Sequence, residues 1–296
     1  MINYIKRITK EIKPAGLAKL SVYDVAIFFW KGLQEGAITT RASSLAFNFF
    51  LAFFPSTIVF FTLIPYIPIQ NLQETLIDLL SIILPPSTHD IAFITLNDII
   101  SNPRIDLLSI GFILALYFST NGINSLIEAF NASYHINESR PLIKQRLLSL
   151  GLTILLSAML IIAIILIVFG KTTLNYLIYL QLISNSSAIL LIYVKWATII
   201  ILLFSGITLL FNIGPSLKNK WQIFTPGAIF ATTFIVTTCI CFNFYINNFA
   251  QYNKIYGSIG TLMIILIWIY LNSIILLTGF ELNASISNAS VNKEKL

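Results

Sequence analysis

Three sets of polar side chains recur at helical spacing inside otherwise apolar stretches of this sequence. Asn121, Asn124, Glu128, Asn131 and His135 follow one another at intervals of three, four, three and four residues, which places them on one face of one helix. Within "RASSLAFNFFLAFFP", Arg41, Ser44 and Asn48 share a second face. Within "YGSIGTLMIILIWIYLNSIILLTGFELNA", Asn272, Glu281 and Asn283 gather toward the far end. Tyr134 and Arg140 stand beside and just beyond the first set. The chemistry open to such residues is binding and proton carriage. A guanidinium such as Arg41 or Arg140 grips phosphate through paired hydrogen bonds, and a carboxyl such as Glu128 or Glu281 can hold a coupling proton where burial disfavours its charge.

Bond-making chemistry has no comparable support. The sequence contains no H-E-x-x-H, no G-x-x-x-x-G-K-[ST], no G-x-S-x-G and no G-x-G-x-x-G. A catalytic metal needs several His, Asp or Glu ligands together, and His89 and His135 are assigned to opposite sides of a membrane. Cys239 and Cys241 sit two apart in an apolar run, where a helix points them in different directions; small buried residues are expected there. The expectation is no metal, no cofactor and no enzymatic activity.

The elements that must position the polar sets follow from composition. Hydrophobic residues make up 57% of the 296 and charged ones 10%, against about 25% charged in a soluble domain, and the mean hydropathy is +0.85. A bilayer is the only solvent for so much apolar surface. Six stretches reach the ~20 residues a spanning helix needs: 42–66, 107–126, 148–169, 187–211, 227–246 and 258–280. β-barrel alternation is absent. Basic residues before the first stretch (Lys6, Arg7, Lys10, Lys13, Lys19, Lys31, Arg41), between the second and third (Arg140, Lys144, Arg146), between the fourth and fifth (Lys218, Lys220) and in the tail (Lys293, Lys295) all fall on one side. The positive-inside rule puts that side, and both termini, in the cytoplasm. The net charge of +6 is then matched by anionic headgroups, and no nucleic-acid partner is read from it. The basic segment Ile2–Lys13 is not followed by a short apolar run, so no cleaved signal peptide is expected.

The predicted fold is an all-α membrane protein. Residues 1–41 form a basic cytoplasmic segment with an interfacial helix over Leu17–Gln34, residues 42–284 form the six-helix transmembrane domain, and 285–296 form a cytoplasmic tail. Two short amphipathic helices occupy about 70–102 in the first outer connection, broken by Pro85-Pro86 and restarted by Ser87 with Asp90. Pro55, Pro226, Gly227, Gly257 and Gly260 are candidate flexing or packing points. Lys195, near the outer end of the fourth span, is expected to snorkel. Trp268, Tyr270 and Asn272 are expected to face the bundle.

Under this orientation the polar sets converge in the cytoplasmic half. An unpaired charge there would cost at least ~2.5 kcal/mol, so the groups pair, face water, or both. Two arrangements satisfy that demand. One is helix–helix glue, with Arg41 pairing with Glu128; the other is a hydrated cavity open to the cytoplasm.

Arg41–Pro55, "LIEAFNASYHINESR" (Leu126–Arg140), "PGAIFATTF" (Pro226–Phe234) and Tyr256–Ala284 resemble the YihY/virulence factor BrkB family of bacterial inner-membrane proteins, over roughly Trp30 to Ala284. The resemblance implies six transmembrane helices. It also implies an association with serum resistance and virulence, and with movement of lipid A precursors or other envelope lipids. An old ribonuclease BN label accompanies the family. Phe280 stands where the family usually carries a small Ala, which predicts looser helix packing at that end.

Two functions fit. The first is a transporter or flippase of a lipid or other anionic amphiphile, a phospholipid or lipid A precursor, with Arg41 and Arg140 on its phosphate. The second is a non-transporting envelope factor acting through partner proteins. The residues leave open whether a homo-oligomer forms.

Overall fold

The computed structural model describes residues 37–63, 105–133, 138–179, 185–216, 221–249 and 258–294. They form α1 (Ile38–Leu63), α2 (Ile105–Ser133), α3 (Leu142–Tyr179), α4 (Asn185–Ile213), α5 (Pro226–Phe249) and α6 (Ser258–Glu294). Six segments, one in each helix, are long and apolar enough to cross a membrane: Ile38–Val59, Ile105–Ser133, Leu142–Leu166, Ile189–Ile213, Pro226–Tyr245 and Leu262–Ser287. The all-α, six-span expectation holds. The interfacial helix at Leu17–Gln34, the amphipathic pair at about 70–102, and the positions Tyr134, His135, His89 and Gly257 lie outside the described residues.

The helices begin and end where local chemistry directs. Ala37, with φ 44°, turns the chain in the left-handed region just before α1, and its carbonyl accepts the Arg41 amide at 3.1 Å. Thr225 caps α5, accepting the Ala228 amide on Oγ1 at 3.2 Å, and Pro226 fills the first helical position, where its missing N–H costs nothing. Pro55 sits inside α1 without ending it. The Ser56 and Thr57 hydroxyls donate to the carbonyls of Ala52 and Phe53 beside it, both at 2.8 Å, the kind of local bonding that lets a membrane helix tolerate proline.

The described residues fall into two compact units. One runs from Asn48 to Gly122 and the other takes in the chain up to Phe47 and from Ile123 onward. In the first, Gly111 and Gly122 let α2 approach α1 closely: a Cβ at Gly122 would meet the Phe49 ring at 3.0 Å, and one at Gly111 would meet Ile58 at 3.2 Å.

The second unit joins α5 to α6 through two glycines. A Cβ on Gly279 would stand 2.7 Å from the Gly227 carbonyl oxygen and 2.9 Å from Ala231 Cβ, and one on Gly227 would strike the Gly279 carbonyl oxygen. Backbones this close are the means by which membrane helices gain contact when no hydrophobic effect drives them together. One residue beyond Gly279, Phe280 is 1% exposed. Its ring stacks on Phe130 of α2 at 4.0 Å and meets Phe211 of α4 edge-on at 5.3 Å, while Phe130 and Phe211 meet at 5.5 Å. The expectation of looser packing at Phe280 is therefore corrected: the α5 crossing uses Gly279, and the phenyl ring turns to the other side and ties α2, α4 and α6 together.

Outward positions along the spans are largely apolar. On α3, Leu160 and Ile161 are exposed, and on α4 so are Ile189 through Val194, as lipid-facing residues should be. Cys239 and Cys241 are free and exposed, which corrects the expectation of burial. Trp268 is 39% exposed, contrary to a bundle-facing placement, although it stands eleven residues, about three turns, before Gly279 on the same side of α6. Lys195 holds its ammonium 5.3 Å from the Trp196 ring centroid, a cation–π contact that a lysine at an aromatic interface can make.

Replacing Gly227 by Ala should lower stability by about 1–3 kcal/mol through overpacking. Gly151, whose Cβ would meet nothing within 4 Å, should be neutral or gain ~0.5–1 kcal/mol on the same change. Thermal unfolding of the purified variants in detergent separates the two; equal melting would show that the glycine crossing is not tight.

Candidate functional site

One end of this unit collects the start of α1, the end of α2, the start of α3, the end of α4, the start of α5 and the later part of α6. Hydrogen bonds between them fix this convergence. The centre is Arg41, one turn into α1. Its Nη1 donates to the Ala129 carbonyl at 2.7 Å and to Ser133 Oγ at 2.9 Å. Both acceptors lie in the last turn or so of α2, where the helix dipole favours a cation. On its other side, Arg41 Nη2 lies 3.6 Å from Oε2 of Glu281 on α6, with the side chains 14% and 6% exposed.

That ion pair is loose in a specific way. Arg41 Nε, Arg41 Nη2 and Glu281 Oε2 are buried without a hydrogen-bond partner. Nε and Nη2 share the side-on edge of the guanidinium, whose two parallel N–H bonds match the two oxygens of a carboxylate or phosphate. The structure thus spends Nη1 on α2 and leaves a two-donor edge facing a carboxylate that does not close upon it.

The expected Arg41–Glu128 pair does not form. Glu128 is exposed and accepts from Asn124 Nδ2 at 2.7 Å, while Asn124 Oδ1 accepts from Gln145 of α3 at 2.9 Å. The reason is angular: adjacent residues are about 100° apart around a helix, so Arg41, bonded at Ala129, is on a different side of α2 from Glu128. The predicted polar face is divided accordingly. Asn124 and Glu128 turn to α3, where Gln145, Ser149 and Thr153 form a buried stripe, and Asn131 turns to the connections.

Asn131 and Arg140 organise those connections. Asn131 Nδ2 donates to Glu138 Oε2 at 2.8 Å, and its Oδ1 accepts the Ser216 amide at 2.9 Å. Arg140 donates to the carbonyls of Gly214 at 2.9 Å, Ile213 at 3.2 Å and Pro215, and pairs with Glu138 at 3.7 Å. Its guanidinium therefore satisfies the orphan carbonyls at the end of α4. As a phosphate contact it is already engaged.

Asn283 does the same for α5. Its Oδ1 accepts the Gly227 amide at 2.7 Å and its Nδ2 donates to Thr225 Oγ1 at 3.0 Å. Of the other predicted site residues, Ser44 is exposed, and Asn48 and Asn121 belong to the Asn48–Gly122 unit. Asn272 bonds back to the Trp268 carbonyl at 2.7 Å, and nine residues, roughly 13 Å of helix, separate it from Glu281. Gly260 is buried. Sequence reasoning missed Ser133, Thr225 and the Gln145–Ser149–Thr153 stripe. Their four-residue spacing in α3 was the available signal. Among the described residues, no three His, Cys, Asp or Glu side chains gather as metal ligands would.

The family model for virulence factor BrkB matches residues 29–296. The chain belongs to the BrkB family. A Bacillus subtilis (strain 168) protein named as ribonuclease-like, YfkH, is 30% identical over 85% of this chain and 90% of its own length. A UPF0761 membrane protein of Haemophilus influenzae (strain 86-028NP) is 24% identical over 90% of this chain and 96% of its own. One from Stenotrophomonas maltophilia (strain K279a) is 26% identical over 88% of this chain and 60% of its own. No solved structure matches. This BrkB-family chain is thus a multi-pass membrane protein whose charged groups at one end are built into helix termini.

Arg140→Lys should destabilise the protein nearly as much as Arg140→Ala, by about 1–3 kcal/mol, because one ammonium cannot reach three carbonyls and a carboxylate together. Glu128→Gln should stay within about 0.5 kcal/mol, since its exposed side chain still accepts from Asn124. Chemical denaturation in micelles measures both, and a Lys variant as stable as wild type would remove the capping role.

Proposed function

We propose that this protein moves a lipid or another anionic amphiphile, engaging its headgroup at the end of the bundle where Arg41 stands while the acyl chains stay in the bilayer. The observation that carries this reading is the unbonded side-on edge of the Arg41 guanidinium. Its position supports the same reading. Arg41 lies three residues into α1, about 4.5 Å along the axis, at the end of the helix and not at its centre. The Lys and Arg bias of the sequence supports an orientation with this end and both termini at the cytoplasmic face of the inner membrane.

We read the activity as binding and movement without catalysis. The ribonuclease-like name of the Bacillus subtilis relative would require a set of acidic or histidine groups converging on a phosphodiester, and among the described residues no three gather. What Arg41 offers is a grip on phosphate, which a carrier of phospholipids or lipid A precursors needs as well. Membrane lipids are the proposed partners, with no nucleic acid and no cofactor.

Proteoliposomes carrying fluorescent lipids with different headgroups test this. Wild type should move at least one anionic lipid faster than empty liposomes. Arg41→Lys keeps the charge but loses the two-donor edge, and should slow that movement by roughly tenfold to a hundredfold, the equivalent of about 1.5–3 kcal/mol for charged hydrogen bonds. Movement of no lipid by wild type, or full movement by Arg41→Lys, would defeat the proposal.

A further inference from the structure

We infer that Arg41 and Glu281 form an exchange site in which one singly charged oxyanion, of the phosphodiester or carboxylate class, replaces Glu281 beside Arg41 while Glu281 takes up one proton. The inference rests on the proposed headgroup role of Arg41 and adds to it a charge rule and a coupling ion.

The geometry is that of a partner held in reserve. Arg41 Nη2 and Glu281 Oε2 stand 3.6 Å apart, and these two atoms and Arg41 Nε, the other donor on that guanidinium edge, are buried without a hydrogen-bond partner. Nη1 is meanwhile fixed to Ala129 and Ser133, so the guanidinium keeps its place whichever anion sits on its free edge. Phe280, next to Glu281, is sealed against Phe130 and Phe211, which gives the charged layer an apolar floor.

Charge conservation then selects the ligand. The resting pair is net neutral, with one cation and one carboxylate. A second anion added to an ionised Glu281 would leave an uncompensated buried negative charge, which is expensive in a low-dielectric site. A proton from water bonding to Glu281 Oε2 removes that charge, Arg41 stays cationic, and one incoming monoanion restores neutrality. A phosphomonoester, at about −1.5 to −2 near neutral pH, leaves an excess; a phosphodiester does not. Among the described residues, the groups recorded around the pair are Ser133 and the Ala129 carbonyl of α2 on Arg41, Phe211 of α4 on Phe280, and Gly227 and Ala231 of α5 against Gly279, none of them charged. Among the described residues Arg41 is the charged group within reach of Glu281. Glu128, the other carboxyl considered for a coupling proton, is exposed and bonded to Asn124.

The experiment uses proteoliposomes with acyl-labelled phosphatidylglycerol, a phosphodiester, and phosphatidic acid, a phosphomonoester, from mildly acid to mildly alkaline pH. Wild type should move phosphatidylglycerol in preference to phosphatidic acid, and its rate should fall by up to about tenfold per pH unit on the alkaline side, the limit for one linked proton. Glu281→Gln, which holds the protonated shape permanently, should abolish that slope. Water-soluble glycerophosphoglycerol added as competitor assigns the source: competition makes the free diester sufficient as ligand, and its failure makes the lipid required; both are compatible with exchange. A wild-type rate that depends on Arg41 but not on pH, or equal movement of the two lipids, overturns the exchange and leaves the headgroup role standing. No movement of either lipid at any pH overturns the headgroup role itself. If Glu281→Gln does not fold, the wild-type pH profile and Glu281→Asp decide: a profile displaced along the pH axis in a folded Asp variant supports the carboxyl as the proton's site, and a flat wild-type profile, or one that Glu281→Asp leaves in place, overturns it.

Discussion

A guanidinium inside a membrane span sets the terms for the rest of this structure. Arg41 keeps its charge, and a buried charge left without partners is costly. The fold meets that cost with helix ends. The carbonyl of Ala129 and the hydroxyl of Ser133 take one nitrogen, and the carboxylate of Glu281 balances the charge. For those three to meet, α1 must start where α2 ends and α6 must return to the same place.

The same logic operates twice more at this end with neutral or surplus groups. Arg140 closes the terminus of α4, and Asn283 closes the terminus of α5. Orphan backbone groups at helix ends would otherwise face a region poor in water. Beneath this polar layer the packing changes character. Aromatic rings bind α2, α4 and α6, and a glycine crossing binds α5 to α6. Polar groups specify which helix ends meet, while shape complementarity supplies the contact energy below them.

Much of this was legible in the residues. The six spans follow from hydropathy because a bilayer-crossing helix leaves a long, charge-poor trace, while their ends differ by up to seven residues, because polar residues at the inner ends continue the helices. Arg41, Glu281, Asn131, Arg140 and Asn283 stood out because a polar group in such a trace has to be answered by another. Their partners were not legible. Spacing along α2 locates Glu128 and Ala129 equally well, and which side α1 approaches is decided by packing. Gln145, Ser149 and Thr153 passed unnoticed because the two hydroxyls bond carbonyls of their own helix and disturb the hydropathy very little. Phe280 was misread because its neighbour Gly279, and not Phe280 itself, faces α5.

The separation of Arg41 and Glu281 in the sequence also has a meaning in time. They sit in the first and last spans, so a chain emerging at about 5–20 residues per second brings Glu281 into the membrane on the order of ten seconds or more after Arg41. Through that interval the cation has no carboxylate. The end of α2, which follows much sooner, already supplies a carbonyl and a hydroxyl. In chain order, then, the second helix supplies the arginine's carbonyl and hydroxyl well before the sixth can supply its carboxylate.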